Sequence, residues 1–209
     1  MADSINVERV GSTDRADAAL AISCDVTSSA QAEEMVRQVL ARWGRIDVLV
    51  NNVGVVDRKN VLELDEADWD RVINISLKSV FLCTKFVALA MVEAGKGGRI
   101  VNVGSSSGHR GRADATAYPS AKAGVLNLTR SLAVQLAPYG IRVNSVTPNR
   151  VATEVGPGEK PRVWEINNLI GRQIRPQDVA RAAVFLASDD ADAINGIDLL
   201  VEGGVLAMG

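Results

Sequence analysis

Three stretches of this 209-residue chain repeat one pattern, and that pattern restricts the fold more than anything else in the sequence. Each is a helix-patterned segment that ends at a glycine, followed at once by a short apolar run closing on small or amide residues. They are Gly44-Arg45-Ile46-Asp47-Val48-Leu49-Val50-Asn51-Asn52, Gly98-Arg99-Ile100-Val101-Asn102-Val103-Gly104-Ser105 and Gly140-Ile141-Arg142-Val143-Asn144-Ser145-Val146-Thr147-Pro148. A glycine just past a helix suits the left-handed conformation, and β-branched runs of this length read as buried strands. Helix, glycine and strand recurring in this order are the mark of parallel α/β layering.

The helices between the runs are legible. Ser28-x-x-Gln31 is a capping box ahead of Met35, Val36, Val39, Leu40 and Trp43, whose spacing lines one helical face as far as Gly44. A second helix is expected to start near Asp65, with Asp68 three residues on, and to run through Trp69, Val72, Ile73, Val80 and Phe81 towards Gly95. A third covers residues 118–137, and a fourth opens at Pro176, a favourable first helical residue, and runs to about Ala187. Residues 21–23 and 198–201 read as outer strands, which makes five. Residues 154–172, with Gly156-Pro157-Gly158 and Lys160-Pro161, read as an excursion loop at the sheet's carboxyl edge, where ligands of such sheets bind.

The length suits one domain, residues 1–209, and 47% hydrophobic residues are enough for a sizeable core. A formal net charge of −2 argues against the basic stripe that nucleic acid or an anionic membrane requires. Two cysteines without CxxC spacing, Cys24 and Cys83, and one histidine, His109, exclude a disulfide framework and a metal site. Residues 80–92, the longest apolar stretch, are interrupted by Lys85 and too short for a bilayer, and Asp3, Glu8, Asp14 and Asp17 stand where a signal core would be. The expectation is a soluble, reduced, cytoplasmic protein with neither nucleic-acid nor membrane partner.

The densest chemical constellation is Ser105 with Tyr118-Pro119-Ser120-Ala121-Lys122. Residues i and i+4 share a helical face, so the Tyr118 phenol and the Lys122 ammonium can approach one point. A free tyrosine titrates near pH ~10, and an adjacent cation favours the phenolate, which lets the phenol exchange a proton with an alcohol or ketone oxygen. Ser105, at a strand end, would offer its hydroxyl to the same oxygen. Taken alone, Tyr-x-x-x-Lys reads more readily as a surface helix pair. His109, in Gly108-His109-Arg110-Gly111, reads as an exposed loop residue or a contact at the substrate rim. Gly95-Lys96-Gly97-Gly98 resembles a phosphate loop in composition only, because it precedes a strand, and reads as a turn.

In chain order, Asp25-Val26, Asn51-Asn52-Val53-Gly54, Asn74, Ser105, Tyr118-x-x-x-Lys122 and Pro148 resemble the motif series of the short-chain dehydrogenase/reductase family, over residues from about 20 to 206. The resemblance implies a Rossmann-like, doubly wound parallel sheet in three α/β/α layers. It also implies an oxidoreductase that interconverts a secondary alcohol and a ketone with NAD or NADP. By position, Tyr118 is the implied general acid/base and Ser105 orients the substrate oxygen. Lys122 lowers the tyrosine's pKa and binds the nicotinamide ribose, and Asn74 anchors a water-mediated proton relay. Asp25 and Val26 would border the adenine, Asn52, Val53 and Gly54 the adenosine ribose, and Pro148, Val151 and Thr153 the nicotinamide end and diphosphate. Singly, Asn74 could be a helix kink, Asp25 a turn residue and Thr153 a loop cap.

Members of the family open with a strand, a Gly-rich turn and a helix that receive the dinucleotide diphosphate. Before Gly44 this sequence has only Gly11, so the expected domain is N-terminally truncated, with the first two strands and first helix, about 30 to 40 residues, missing. Asp3 then stands at the end of the family's second strand, where a carboxylate favours NAD over NADP. Val53 replaces an alanine and Asn149 a glycine of the family pattern, and both would narrow the cofactor cleft. Two readings follow: an active oxidoreductase of a small alcohol or ketone, or an inactive remnant kept as an assembly partner.

Trp164, Ile166, Leu169 and Ile170 suggest an apolar wall over part of the cleft, or else oligomer contacts or local core, and Val80, Phe81, Leu82, Phe86 and Val87 give more apolar surface than one stripe needs, which suggests a homodimer or homotetramer. The helices at 31–43, 68–90 and 118–137 should share one face of the sheet and the Pro176 helix the other. An uncovered strand at Ile46 would leave the chain aggregation-prone and without measurable NAD(H) binding unless residues 21–23 paired beside it.

Overall fold

The computed structural model describes residues 19–152 and 164–208. Four strands, β1 (Val48–Asn51), β2 (Gly98–Val103), β3 (Ile141–Pro148) and β4 (Asp198–Val201), pair in parallel in chain order. Helix α1 (Ser29–Trp43) precedes β1. Helices α2 (Glu66–Ile73) and α3 (Ser79–Ala94) lie between β1 and β2, α4 (Ala117–Leu136) between β2 and β3, and α5 (Pro176–Ala187) between β3 and β4. The helix ends follow from their signals: Ser28 caps α1 by accepting the Gln31 amide, and Gly44, Gly95 and Gly140 take positive φ just past helical segments. The Gln31 side chain departs from a capping box, reaching past Ser28 to accept the Asp25 amide at 2.8 Å.

Both faces of the sheet carry helices. On one, Val36 of α1, Val87 and Met91 of α3 and Ala133 of α4 pack on Ile100, Ile141 and Val143. On the other, Leu186 with Val179, Ala182 and Ala183 of α5 closes over Val101 and Val146. The sheet advances in one direction from β1 to β4, so the crossover through α5 has the opposite hand to those through α3 and α4. The apolar stripe of α5 has its partners only on that face.

Two expectations are corrected. Residues 21–23 form no strand, because a strand needs a neighbour to complete its hydrogen bonds and, among the described residues, β1 pairs only with β2. The face of β1 that carries Val48 and Val50 is correspondingly open, at 42% and 48% exposure, against 0% for Val101 and Val146 under α5. The helix after Asp65 is not uniform: a π-helical turn, Asn74–Lys78, joins α2 to α3. The resulting 29-residue run, Glu66–Ala94, is long and apolar enough to cross a membrane, which the shorter apolar stretch in the sequence did not suggest. Its Val80, Leu82, Val87 and Met91 are nevertheless buried within the fold. Cys24 and Cys83 come near enough to interact electrostatically; both are free thiols, and burial pushes Cys83 up to about 11.

Candidate active site

The site forms where β2 ends against α4. Gly104 must be a glycine, because a Cβ there would lie 2.3 Å from the Thr147 hydroxyl. Ser105 follows in extended backbone and accepts the Ser107 amide at 3.2 Å, starting a short 3-10 turn, Ser106–Gly108. Gly108 brings that turn onto α4, where a Cβ would meet the Ala123 amide at 2.9 Å. The turn and helix thus hold Ser105 beside Tyr118 and Lys122.

Asp57 was not singled out by its sequence, yet it fixes the start of α4. Its buried carboxylate accepts the amides of Thr116 at 2.9 Å, Ala117 at 3.2 Å and Tyr118 at 2.8 Å. A chain segment leaving β1 therefore caps the helix that carries the phenol. No local motif could reveal this, since the partners lie about sixty positions away.

Lys122 is only 4% exposed, and its ammonium donates to the Val103 carbonyl at 2.7 Å. Burial pulls its pKa down to about 8. Nζ lies 5.8 Å from the Tyr118 ring centroid and beneath Gly54, where a Cβ would stand 3.5 Å from it. Burial raises the Tyr118 phenol above its ordinary value, while a hydrogen bond with Ser105 and the Arg112 guanidinium draw it back down. Arg112, which the sequence did not single out, thus joins Lys122 as a cation near the phenol.

Gly54, Ser105, Tyr118, Asn149, Arg112 and Trp164 are among the residues lining a cleft of about 530 Å³. Asn149 is anchored as its Oδ1 accepts the Ser106 hydroxyl at 2.8 Å. The other expected site residues that the structure describes are not among those lining this cleft. Asn74 opens the π-helical turn, its carbonyl accepting the Ser79 amide, and no hydrogen bond joins it to Ser105, Tyr118 or Lys122. The Asp25 carboxylate turns onto Thr27, and the Val26 side chain packs near Ala32 and Leu82. Asn52 and Val53 are exposed. Pro148 ends β3, and Val151 bridges to Ile174. Asp3 and Thr153 lie outside the described residues.

The apolar wall is also corrected. Trp164 lines the cleft, whereas Ile166, Leu169 and Ile170 are exposed, and Leu169 sits against Gly204. His109 is an exposed loop residue whose Nε2 lies 2.6 Å from the Asp198 carboxylate, away from the cleft lining. Gly97 forms a tight turn in which a Cβ would clash with the Gly140 carbonyl at 2.5 Å.

The family model described as Enoyl-(Acyl carrier protein) reductase matches residues 3–206. Among similar proteins is cis-4-hydroxycyclohexanecarboxylate dehydrogenase of Sinomonas cyclohexanicum, 43% identical over 194 residues, covering 91% of this chain and 78% of the relative. Meso-2,3-butanediol dehydrogenase of Serratia marcescens is 37% identical over 204 residues, covering 96% and 80%. A crystal structure of a short-chain type dehydrogenase/reductase from Mycobacterium marinum superposes with a TM-score of 0.80 at 34% identity, covering 88% of this chain and 73% of that one.

Proposed function

Since the chain belongs to the short-chain dehydrogenase/reductase family, a family of oxidoreductases acting on CH–OH groups, we propose that its cleft interconverts a secondary alcohol and a ketone with NAD or NADP. Ser105 and Tyr118 on one cleft wall, with the buried Lys122 ammonium 5.8 Å from the Tyr118 ring centroid, carry this reading. When bound, the nicotinamide supplies or accepts the hydride. In reduction, the Tyr118 phenol donates its proton to the carbonyl oxygen, and the Ser105 hydroxyl hydrogen-bonds the same oxygen as charge develops on it. Lys122 fits a ribose: its buried ammonium meets one protein acceptor, which leaves two N–H groups beneath the open Gly54. Asn74 is assigned the proton relay. Asp25, Val26, Asn52 and Gly54 are assigned the adenosine end, Pro148, Val151 and Thr153 the nicotinamide end, and Asp3 a preference for NAD.

The relatives' names include both a carboxylate-bearing alcohol and a neutral diol, so they do not select a substrate. Exposed Phe81, Leu89 and Val134 on α3 and α4 support a homodimer or homotetramer. A second reading, an inactive assembly partner, draws on the open face at Val48 and Val50. Turnover of an alcohol and ketone panel with each cofactor at millimolar concentration separates the two. Activity that Tyr118→Phe lowers at least ~10²-fold is expected of the first reading; a folded, soluble chain without turnover fits the second.

A further inference from the structure

The mouth of the cleft is basic in a chain whose net charge is −2. Arg58, Arg112 and Arg150 line it beside one carboxylate, Asp114, among the described residues. An adjoining recess of about 290 Å³ shares Arg112, Asp114 and Arg150 and adds Arg110. Asp114 is already engaged: Arg112 grips it through Nε at 2.9 Å and Nη2 at 2.8 and 2.9 Å. Arg58 acts on Asp114 only through space, without an ion pair, and Arg150 has no carboxylate partner among the described residues.

Arg150 is held in a receptive posture. Its guanidinium carbon lies 5.3 Å from the Trp164 ring centroid, and the indole is fixed by donating from Nε1 to the Val151 carbonyl at 3.1 Å. This cation–π contact uses none of the guanidinium's N–H donors as hydrogen bonds, and their planar fork suits a two-oxygen acceptor. A neutral substrate would crowd these cations without pairing them, whereas an anion would pair them and be drawn in by their combined field.

Resting on the oxidoreductase reading above, we infer that the alcohol or ketone processed here carries a terminal oxyanion, a carboxylate or a phosphate ester, received by Arg150 and Arg58. The same-site chemistry is left to Ser105 and Tyr118, while the arginines fix which end of the substrate faces outward.

Calorimetric titration of the chain with 4-oxopentanoate, with neutral 5-hydroxypentan-2-one and with the phosphate ester of that hydroxyketone tests the inference without requiring hydride transfer. At least one oxyanion should bind about 10-fold or more tighter than the neutral ketone, since one charge-assisted pair is worth roughly that factor. The stronger of the two identifies the group. The gain should shrink with added salt and be lost in Arg58→Gln/Arg150→Gln, with each single variant intermediate and melting temperatures unchanged, because both side chains are exposed. Equal binding of the three compounds, no oxyanion binding, or a gain that survives the double substitution would overturn it. Oxyanion binding without turnover would instead sink the oxidoreductase reading alone.

Discussion

Lys122 and Tyr118 were legible as a pair because four-residue spacing puts them on one helical face, but their electrostatics were not, because burial is a property of the whole fold. The ammonium's folded pKa near 8 lies below its ordinary 10.5. Between those values the unfolded chain binds more protons, so this group adds stability as pH rises from about 8 to 10.5 and costs stability below 8. Lys122→Met should therefore raise stability at pH 7 by roughly 2 kcal/mol, reduced by the lost bond to the Val103 carbonyl. The advantage should vanish near pH 10.5, which urea unfolding at the two pH values would check. Arg112, which also draws the phenol down, gave no sequence signal because six positions on an irregular loop define no geometry.

At the next level up, strands β1 to β4 and all the helix ends marked by glycine, serine, aspartate or proline could be read directly, since each signal is local. The π-helical turn at Asn74–Lys78 could not, because α3 is apolar on several faces and so hides the shift in register that an extra residue makes. The strand expected at 21–23 failed for the opposite reason: its residues suit a strand, but pairing is a long-range condition. Asp57 shows how such a condition supports the site, since it ties the segment after β1 to the start of α4. Asp57→Ala should cost about 2 kcal/mol, at the upper end for a helix cap, because it leaves buried amides unpaired. Thermal melting should show that loss and Asp57→Asn a smaller one, with turnover following the order of Tyr118 placement.

Across the molecule, coverage of the sheet is uneven. Val101 lies sealed beneath α5, and Val50 is open. Val101→Thr should cost about 2 kcal/mol in denaturant unfolding, while Val50→Thr should change stability by less than ~0.5 kcal/mol and reduce light scattering at high concentration. A large loss from Val50→Thr would mean that this face is covered in solution. Steady-state turnover of ketones at millimolar NADH or NADPH, compared between the parent chain and Tyr118→Phe with both shown to be folded, decides what the cleft does. The expected result is measurable reduction of at least one ketone that falls ~10²-fold or more in the variant. Equal rates in the two proteins, or no reduction by the folded parent chain, would contradict it.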